Sequence, residues 1–405
     1  SGYWENEDRW HFNGVSGESY TITLTSSAFR PMLVLEDSLG NQLDMDADAD
    51  EDDSAVIFFS PILDEEYILR VQASDWGIGV YELTFGGDIY DALNNNPFSG
   101  ATIYTPMSVK VSSSKAIFSS FNGNNGDGLY INVDSSGTGS VSLVNVGADN
   151  NNYNGVSIEA PNGNVSLSNN HARLSGFSWN GFQGVKIISG GTITLNNRLM
   201  AMGNGQEGFY LDNHSALAPK TVTIKNVQTW FNVSSGLTAN SLGNISVTNL
   251  DASANNRNGA SLSTLGNVTL LGSNVFSGNI EDGLGVAASG VISINGVLAE
   301  GNHINGLDIQ SNGAGKTVLV KNTILRFNED TGLMMDAQGA ITLDNVQSVL
   351  NMGSGVDLWD NGVAVLIKNS VMMGNDEYGI KAERAPLTLA NTYYFGNTLG
   401  GLELY

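Results

Sequence analysis

The sequence predicts an all-β chain, a small N-terminal β-sandwich followed by a parallel β-coil of about twelve turns. Three observations carry that expectation. A five-residue phrase, Asn-x-x-x-Gly, recurs twelve times from Asn124/Gly128 to Asn397/Gly401, each time followed by apolar-x-apolar. Successive glycines of the phrase lie 22 to 29 residues apart, which is the period of a repeat array. Residues 1–86 lack the phrase and hold short alternating apolar stretches instead.

Strand-like pieces in the first segment fall at 10–12, 20–24, 32–35, 55–59, 67–71 and 80–85, separated by polar or glycine turns. That spacing suits a small sandwich. Its phrases include Asp8-Arg-Trp-His-Phe12, Gly17-Glu-Ser-Tyr-Thr-Ile22, Arg30-Pro-Met-Leu-Val-Leu-Glu-Asp37, Glu66-Tyr-Ile-Leu-Arg-Val71 and Gly79-Val-Tyr-Glu-Leu83. Through them the segment resembles the bacterial pre-peptidase C-terminal (PPC) type domain. The resemblance implies a jelly-roll-like sandwich attached to a secreted enzyme or surface protein, calcium binding, and contact with carbohydrate or protein surfaces. An acidic loop runs from Asp44 to Asp53. Closely spaced carboxylates in a loop can supply the six to eight oxygens that calcium takes. With the resemblance, Asp46, Asp48, Asp50, Asp52 and Asp53 are the candidate ligands; a solvated hairpin tip is the other interpretation. The order lacks the glycine and terminal glutamate of an EF-hand.

Residues 87–101 form a turn-rich linker. Residues 102–123 are strand-like without the phrase and are expected to be the N-terminal cap or first coil. The repeats then occupy the chain to its end. Within each, a strand follows the glycine, as in Gly306-Leu-Asp-Ile309, and a second follows after a turn, as in Val318-Leu-Val320 or Ile341-Thr-Leu343. The second strand is expected to end in asparagine, at Asn226, Asn249, Asn322, Asn345, Asn369 and Asn391. Apolar residues alternate with polar ones at period two, and no helical pattern intervenes. One repeat per turn would stack equivalent residues about 4.8 Å apart. Asparagine suits the corners and stacks into amide ladders, and the recurrent glycine is expected to supply a positive φ. Residues 100–405 resemble the right-handed parallel β-helix proteins, the pectin-lyase-like superfamily and its surface-protein relatives. That resemblance implies a right-handed coil; activity has to be argued from a site.

The net charge is −24, and residues 1–99 hold 20 acids against three arginines, −17 of it. Such a chain is a poor partner for nucleic acid. Cysteine is absent, which excludes disulfides and thiolate metal sites. No apolar run reaches the roughly 20 residues of a membrane span. The opening Ser1-Gly-Tyr-Trp-Glu5 is no signal peptide, so a mature or excised chain is expected. The chain stops inside a regular twelfth strand, Gly401-Leu-Glu-Leu-Tyr405. An uncapped coil exposes strand edges, so either a longer precursor, a chain boundary or a second copy stacked head to tail is expected there.

The β-helix hydrolases use Asn-Thr-Asp, Asp-Asp and Gly-His-Gly signatures, and the pectate lyases use Arg-x-Pro-x-x-Arg. All are missing. His171, His214 and His303 fall in different coils without an evident carboxylate partner, and Trp179, Phe182, Trp230, Phe231, Tyr393, Tyr394 and Phe395 are expected to fill the coil or pack loops. Asn164, Asn232, Asn244 and Asn267 open glycosylation sequons. The richest polar face is the outward side of the post-glycine strand. One column there should hold Asp308, Asp357, Lys381 and Glu403, and a second Gln310, Asp336, Trp359 and Glu383. Asp308, Asp336, Asp357, Trp359, Lys381 and Glu383 are the candidate carbohydrate-binding residues, with Asp336 and Asp357 about 7–9 Å apart, a separation suited to an inverting glycosidase. A solvated polar face explains the same residues. The leading expectation is a non-catalytic extracellular structural or adhesive protein of a bacterial surface, assembling with copies of itself or binding surface polysaccharide or protein, with calcium in the sandwich. A secreted polysaccharide lyase or glycoside hydrolase, and a monomeric carbohydrate-binding adhesin, are the alternatives.

Overall fold

The computed structural model describes residues 7–14, 16, 20–47, 53–63, 65–74, 81–86, 99–112, 119–171, 174–360, 362–383 and 386–404. The chain is all-β and divides into two compact units, residues 1–191 and 192–405. Among the described residues no helix is long and apolar enough to cross a membrane.

The first unit begins with a sandwich. Gln42–Ala47, Pro31–Asp37, Glu65–Ala73 and Glu7–Gly14 form one antiparallel sheet. Ser54–Phe59, Tyr20–Thr25 and Glu82–Gly86 form the other. Alternate residues meet in one core that includes Phe12, Tyr20, Ile22, Leu24, Leu33, Ile57, Tyr67 and Leu69. Burying such side chains contributes about 1.5–3 kcal/mol each before the entropy of ordering them is subtracted. Glu7–Gly14 also pairs antiparallel with Ala101–Thr105, with Trp10 opposite Ile103. Ala101–Thr105 then pairs parallel with Leu129–Val133, and the stack continues through Val156–Ala160 to Val185–Ser189. The stretch that lacks the phrase thus supplies the first rung of the post-glycine sheet, and a sandwich strand covers its outer edge. Covering an edge removes a template for unwanted pairing.

In the second unit nine described post-glycine strands, from Phe209–Asp212 to Gly400–Leu404, stack in parallel. A second parallel sheet runs from Ile193–Met202 to Leu387–Ala390. Inward columns of Leu, Ile, Val and Ala are buried up to the last strands, where Leu387, Leu389 and Leu402 are half-buried and Leu404 is exposed. Each unit carries coils of a parallel β-solenoid, about twelve along the chain.

Two local expectations are corrected. The strand ends just before Asn369 and Asn391 as expected, but Asn226, Asn249, Asn322 and Asn345 do not end it. Val318–Arg326 and Ile341–Val349 run straight through Asn322 and Asn345, which bend the strand at φ 47° and 57° and then let pairing resume. The recurrent glycine is not the residue with positive φ. That conformation belongs to the residue just before the phrase asparagine, among them Phe231, Ala254, Gly278, Gly301, Phe327 and Leu350, at 55° to 66°. The glycine is required because the coils touch there. A Cβ on Gly259, Gly283 or Gly306 would lie 2.5–2.6 Å from the next coil's glycine carbonyl and 2.7–2.9 Å from the next asparagine amide.

The phrase asparagines form a ladder inside the coil. Asn279 Nδ2 donates to Asn302 Oδ1 at 2.9 Å, and Asn302 Nδ2 donates to Asn328 Oδ1 at 2.9 Å. Each Oδ1 also accepts the backbone N–H of the preceding asparagine, and each Nδ2 reaches a carbonyl of the preceding coil, such as Phe276 O at 3.1 Å. All four amide valences are used at fully buried positions. Asn232, the start of a sequon, is one of these buried rungs. The bend asparagines form a second, outer ladder, with Asn345 Nδ2 donating to Asn322 Oδ1 at 2.8 Å and Asn322 Nδ2 to Asn295 Oδ1 at 2.8 Å.

Candidate functional site

The register in the second unit places the anticipated residues in two outward columns. Asp308, Met334, Asp357, Lys381 and Glu403 are successive partners in the first. Gln310, Asp336 and Trp359 are successive partners in the second. Glu383 lies just past its strand, and its N–H donates to Leu358 O at 3.0 Å. Met334 interrupts the run of polar residues between Asp308 and Asp357.

Asp357 is nearly buried and accepts from Lys381 Nζ at 3.2 Å. Burial raises its pKa against the opposing pull of Lys381 and of a hydrogen bond from Trp359. Trp359, next but one along the strand, keeps 48 % of its surface exposed. One coil on, Glu377 accepts from Ser354 Oγ at 3.0 Å.

Asp308 carries the largest perturbation of the face. Burial, and then the charge of Asp282, push its carboxyl up to about 6. Asp282 is a residue that sequence reasoning missed. It precedes Gly283, and its Oδ1 accepts both the N–H and the Nδ2 of Asn305 at 3.0 Å. Burial raises its pKa too. The available signal was that the residue before the glycine repeatedly pairs with its counterpart in the next coil, as Asp127 does with Asn154. Two half-desolvated carboxyls on neighbouring rungs resist double ionisation, so Asp308 holds a proton near neutral pH more readily than an exposed aspartate.

Asp336 is exposed and one strand from Asp308, two residues along. Strand spacing and rise put the two backbones about 8 Å apart. Asp336 and Asp357 show the same kind of diagonal offset, since Met334 faces Asp357 and Asp336 faces Trp359. The six anticipated residues therefore share one face, with the acid chemistry centred on Asp308.

Of the anticipated calcium ligands, Asp46 and Asp53 are among the described residues. Asp48, Asp50 and Asp52 lie outside the described residues. Asp46 Oδ2 accepts the Val56 N–H at 2.6 Å, and the Asp53 carbonyl accepts from Ser26 N at 3.1 Å. Among the described residues there is no cluster of three or more side chains suited to a metal. Two sequence expectations need correction. His303 has a carboxylate at the matching position of the next coil, with Nε2 3.7 Å from Glu329. Of the corner aromatics, Trp179, Phe231, Tyr393 and Phe395 are more than half exposed and so do not fill the coil, whereas Phe182 packs on Tyr153 with ring centroids 5.2 Å apart, as the loop-packing alternative expects.

No protein-family model matches the chain, and no curated protein matches it. Among solved structures the chain path is similar to that of the A-module of the mannuronan C-5 epimerase AlgE4 from Azotobacter vinelandii. The identity is 16 %, over 75 % of this chain and 88 % of that one, with a TM-score of 0.42. The AlgE6 A-module of the same organism gives 16 %, 75 %, 90 % and 0.41. The catalytic unit of a GH87 α-1,3-glucanase from Streptomyces thermodiastaticus gives 12 %, 97 %, 90 % and 0.40. At these identities the likeness is one of fold alone.

Proposed function

We propose that the chain binds and hydrolyses a neutral polysaccharide on the outward face that carries Asp308, Asp336, Asp357 and Trp359. The observation that supports this best is the pairing of two unlike carboxyls. Asp308 is held up to about 6 by burial and Asp282, while Asp336 is exposed on the adjacent strand. One protonatable acid and one solvated carboxylate on backbones about 8 Å apart can set their carboxyls at the roughly 6.5–9.5 Å that leaves room for a water in inverting glycosidases. Asp308 would protonate the leaving oxygen, and Asp336 would take a proton from the attacking water. Trp359 would stack on a sugar ring, and the Asp357–Lys381 pair would bond hydroxyls. The excess of carboxylates argues against a polyuronate, whose own acids would be repelled. It therefore argues against a lyase or epimerase reaction. Export to the bacterial cell exterior and calcium in the sandwich belong to the same proposal, through the PPC resemblance.

The test is reducing-sugar release from glucans, mannans and galactans, run with calcium and with a chelator. Release from a neutral polymer, lowered at least about a hundredfold by Asp308→Asn, is the expected result. Release from none of them refutes hydrolysis. Binding without release makes the chain the non-catalytic adhesive protein that the sequence suggested, and linear polymers in light scattering would add end-to-end assembly. Loss of binding in chelator would tie the acidic hairpin to function.

A further inference from the structure

A second site is laid out in the first unit, and it uses none of the residues of the Asp308 face. Tyr104, Asn132 and Glu159 occupy one outward position on three successive strands, Asn132 being the register partner of both others. Adjacent strands lie about 4.8 Å apart, so the three side chains make a continuous row. The row forms part of a cleft of about 450 Å³ that Pro106, Pro161 and Asp134 also line. That volume lies in the range of small-molecule sites, roughly 300–1,000 Å³.

The parts of the row differ in chemistry. Tyr104 is 55 % exposed and is braced by Tyr130 in a T-shaped contact, with ring centroids 5.8 Å apart. Asn132 Nδ2 donates to Tyr130 Oη and to Glu159 Oε2, each at 3.1 Å. The amide and the carboxylate are therefore positioned before any ligand arrives, which lowers the ordering cost of binding. Asp134 stands at the rim, and the Ser136 N–H, 2.7 Å away, holds its carboxyl below the usual range. No Lys, Arg or His is among the described lining residues. Arg9, which follows Tyr104 in the row, is bound by Glu7 at 2.6 Å.

We propose that this cleft binds a neutral pyranose unit of a glycan without cleaving it. The ring would stack on Tyr104, and its hydroxyls would donate to Glu159 and Asp134. An apolar ring face and several hydroxyl donors satisfy an exposed aromatic beside two carboxylates. An anionic sugar leaves those carboxylates opposed by like charge. The site would hold a chain on the first unit whatever the second unit does with it, and it stands or falls independently of the Asp308 proposal.

The experiment uses the full chain with Trp359→Ala and Asp336→Asn, which removes the stacking ring and the water-activating carboxylate of the other face. Maltohexaose, cellohexaose, laminarihexaose, mannohexaose and a mannuronate hexamer are titrated by calorimetry. Binding of at least one neutral hexasaccharide is expected, weakened on the order of tenfold by adding Tyr104→Ala, the equivalent of about 1.4 kcal/mol. Tyr104→Phe, which keeps the ring, should retain it. Matching circular dichroism of the variants shows that the loss is not one of folding. No binding by any neutral hexasaccharide, equal binding with Tyr104→Ala, or a preference for the mannuronate hexamer overturns the proposal.

Discussion

Asn302 shows what one residue of the repeat contributes. Its Oδ1 accepts from the N–H and Nδ2 of Asn279, and its Nδ2 reaches Asn328 and Phe276, all out of contact with water. Replacing it with alanine would orphan a buried N–H and a buried carbonyl at once, at about 1–3 kcal/mol each. Asn302→Ala is therefore expected to lower stability by about 2–6 kcal/mol in urea denaturation. A change within experimental error would mean that water fills the ladder freely. Asp308 sets a pH dependence of the opposite kind to a salt-bridged aspartate. Its pKa is raised to about 6 in the folded chain, from the ordinary aspartate value of 3.8. The folded state then binds more protons than the unfolded state between those values, so its contribution to stability falls as pH rises through that window. Asp308→Asn should flatten the thermal midpoint between pH 4 and 6 and raise it above pH 6. An unchanged pH profile would show that Asp308 ionises normally.

At the level of the element, the inward columns and the outward site columns were legible, because strand side chains alternate with period two and the phrase sets the phase. Asp308, Asp357 and Lys381 fall in one column for that reason, as the register shows. What was not legible depends on contacts between coils. Gly283 reads as a turn residue, yet it is needed because Gly306 and Asn302 approach from the next coil. Phe327 and Leu350 adopt a positive φ that no local rule predicts for an aromatic or a branched side chain. They are held there by the neighbouring turns of the stack. Asp282 went unnoticed because its importance comes from Asp308, 26 residues later, and from Asn305. The bends at Asn322 and Asn345 read as strand ends in the sequence because asparagine is a usual mark of a turn.

On the scale of the whole molecule, each coil of the second unit bonds to its neighbours through the same amides, carbonyls and apolar columns. A coil should therefore be removable as a unit. Deleting residues 283–305 joins Asp282 to Gly306, which preserves the phrase and brings Asn279 against Asn328. The shortened chain is expected to fold with a single cooperative unfolding transition and a β-rich circular dichroism spectrum. A molten or aggregated product would show that the coils are specific to their places, beyond the shared pattern. Nearest-neighbour additivity of this kind is what one-dimensional repeat stacks display.

The two asparagine ladders run in opposite senses. In the inner one Asn279 donates forward to Asn302, whereas in the outer one Asn345 donates back to Asn322. A column of amides all pointing one way would add its dipoles rung by rung, as the peptides of a helix do. Two columns of opposed direction offset each other, much as current in a return wire offsets the outgoing one. Lengthening the stack therefore adds little voltage along its axis from these side chains, and the number of coils is free to vary without an electrostatic ceiling.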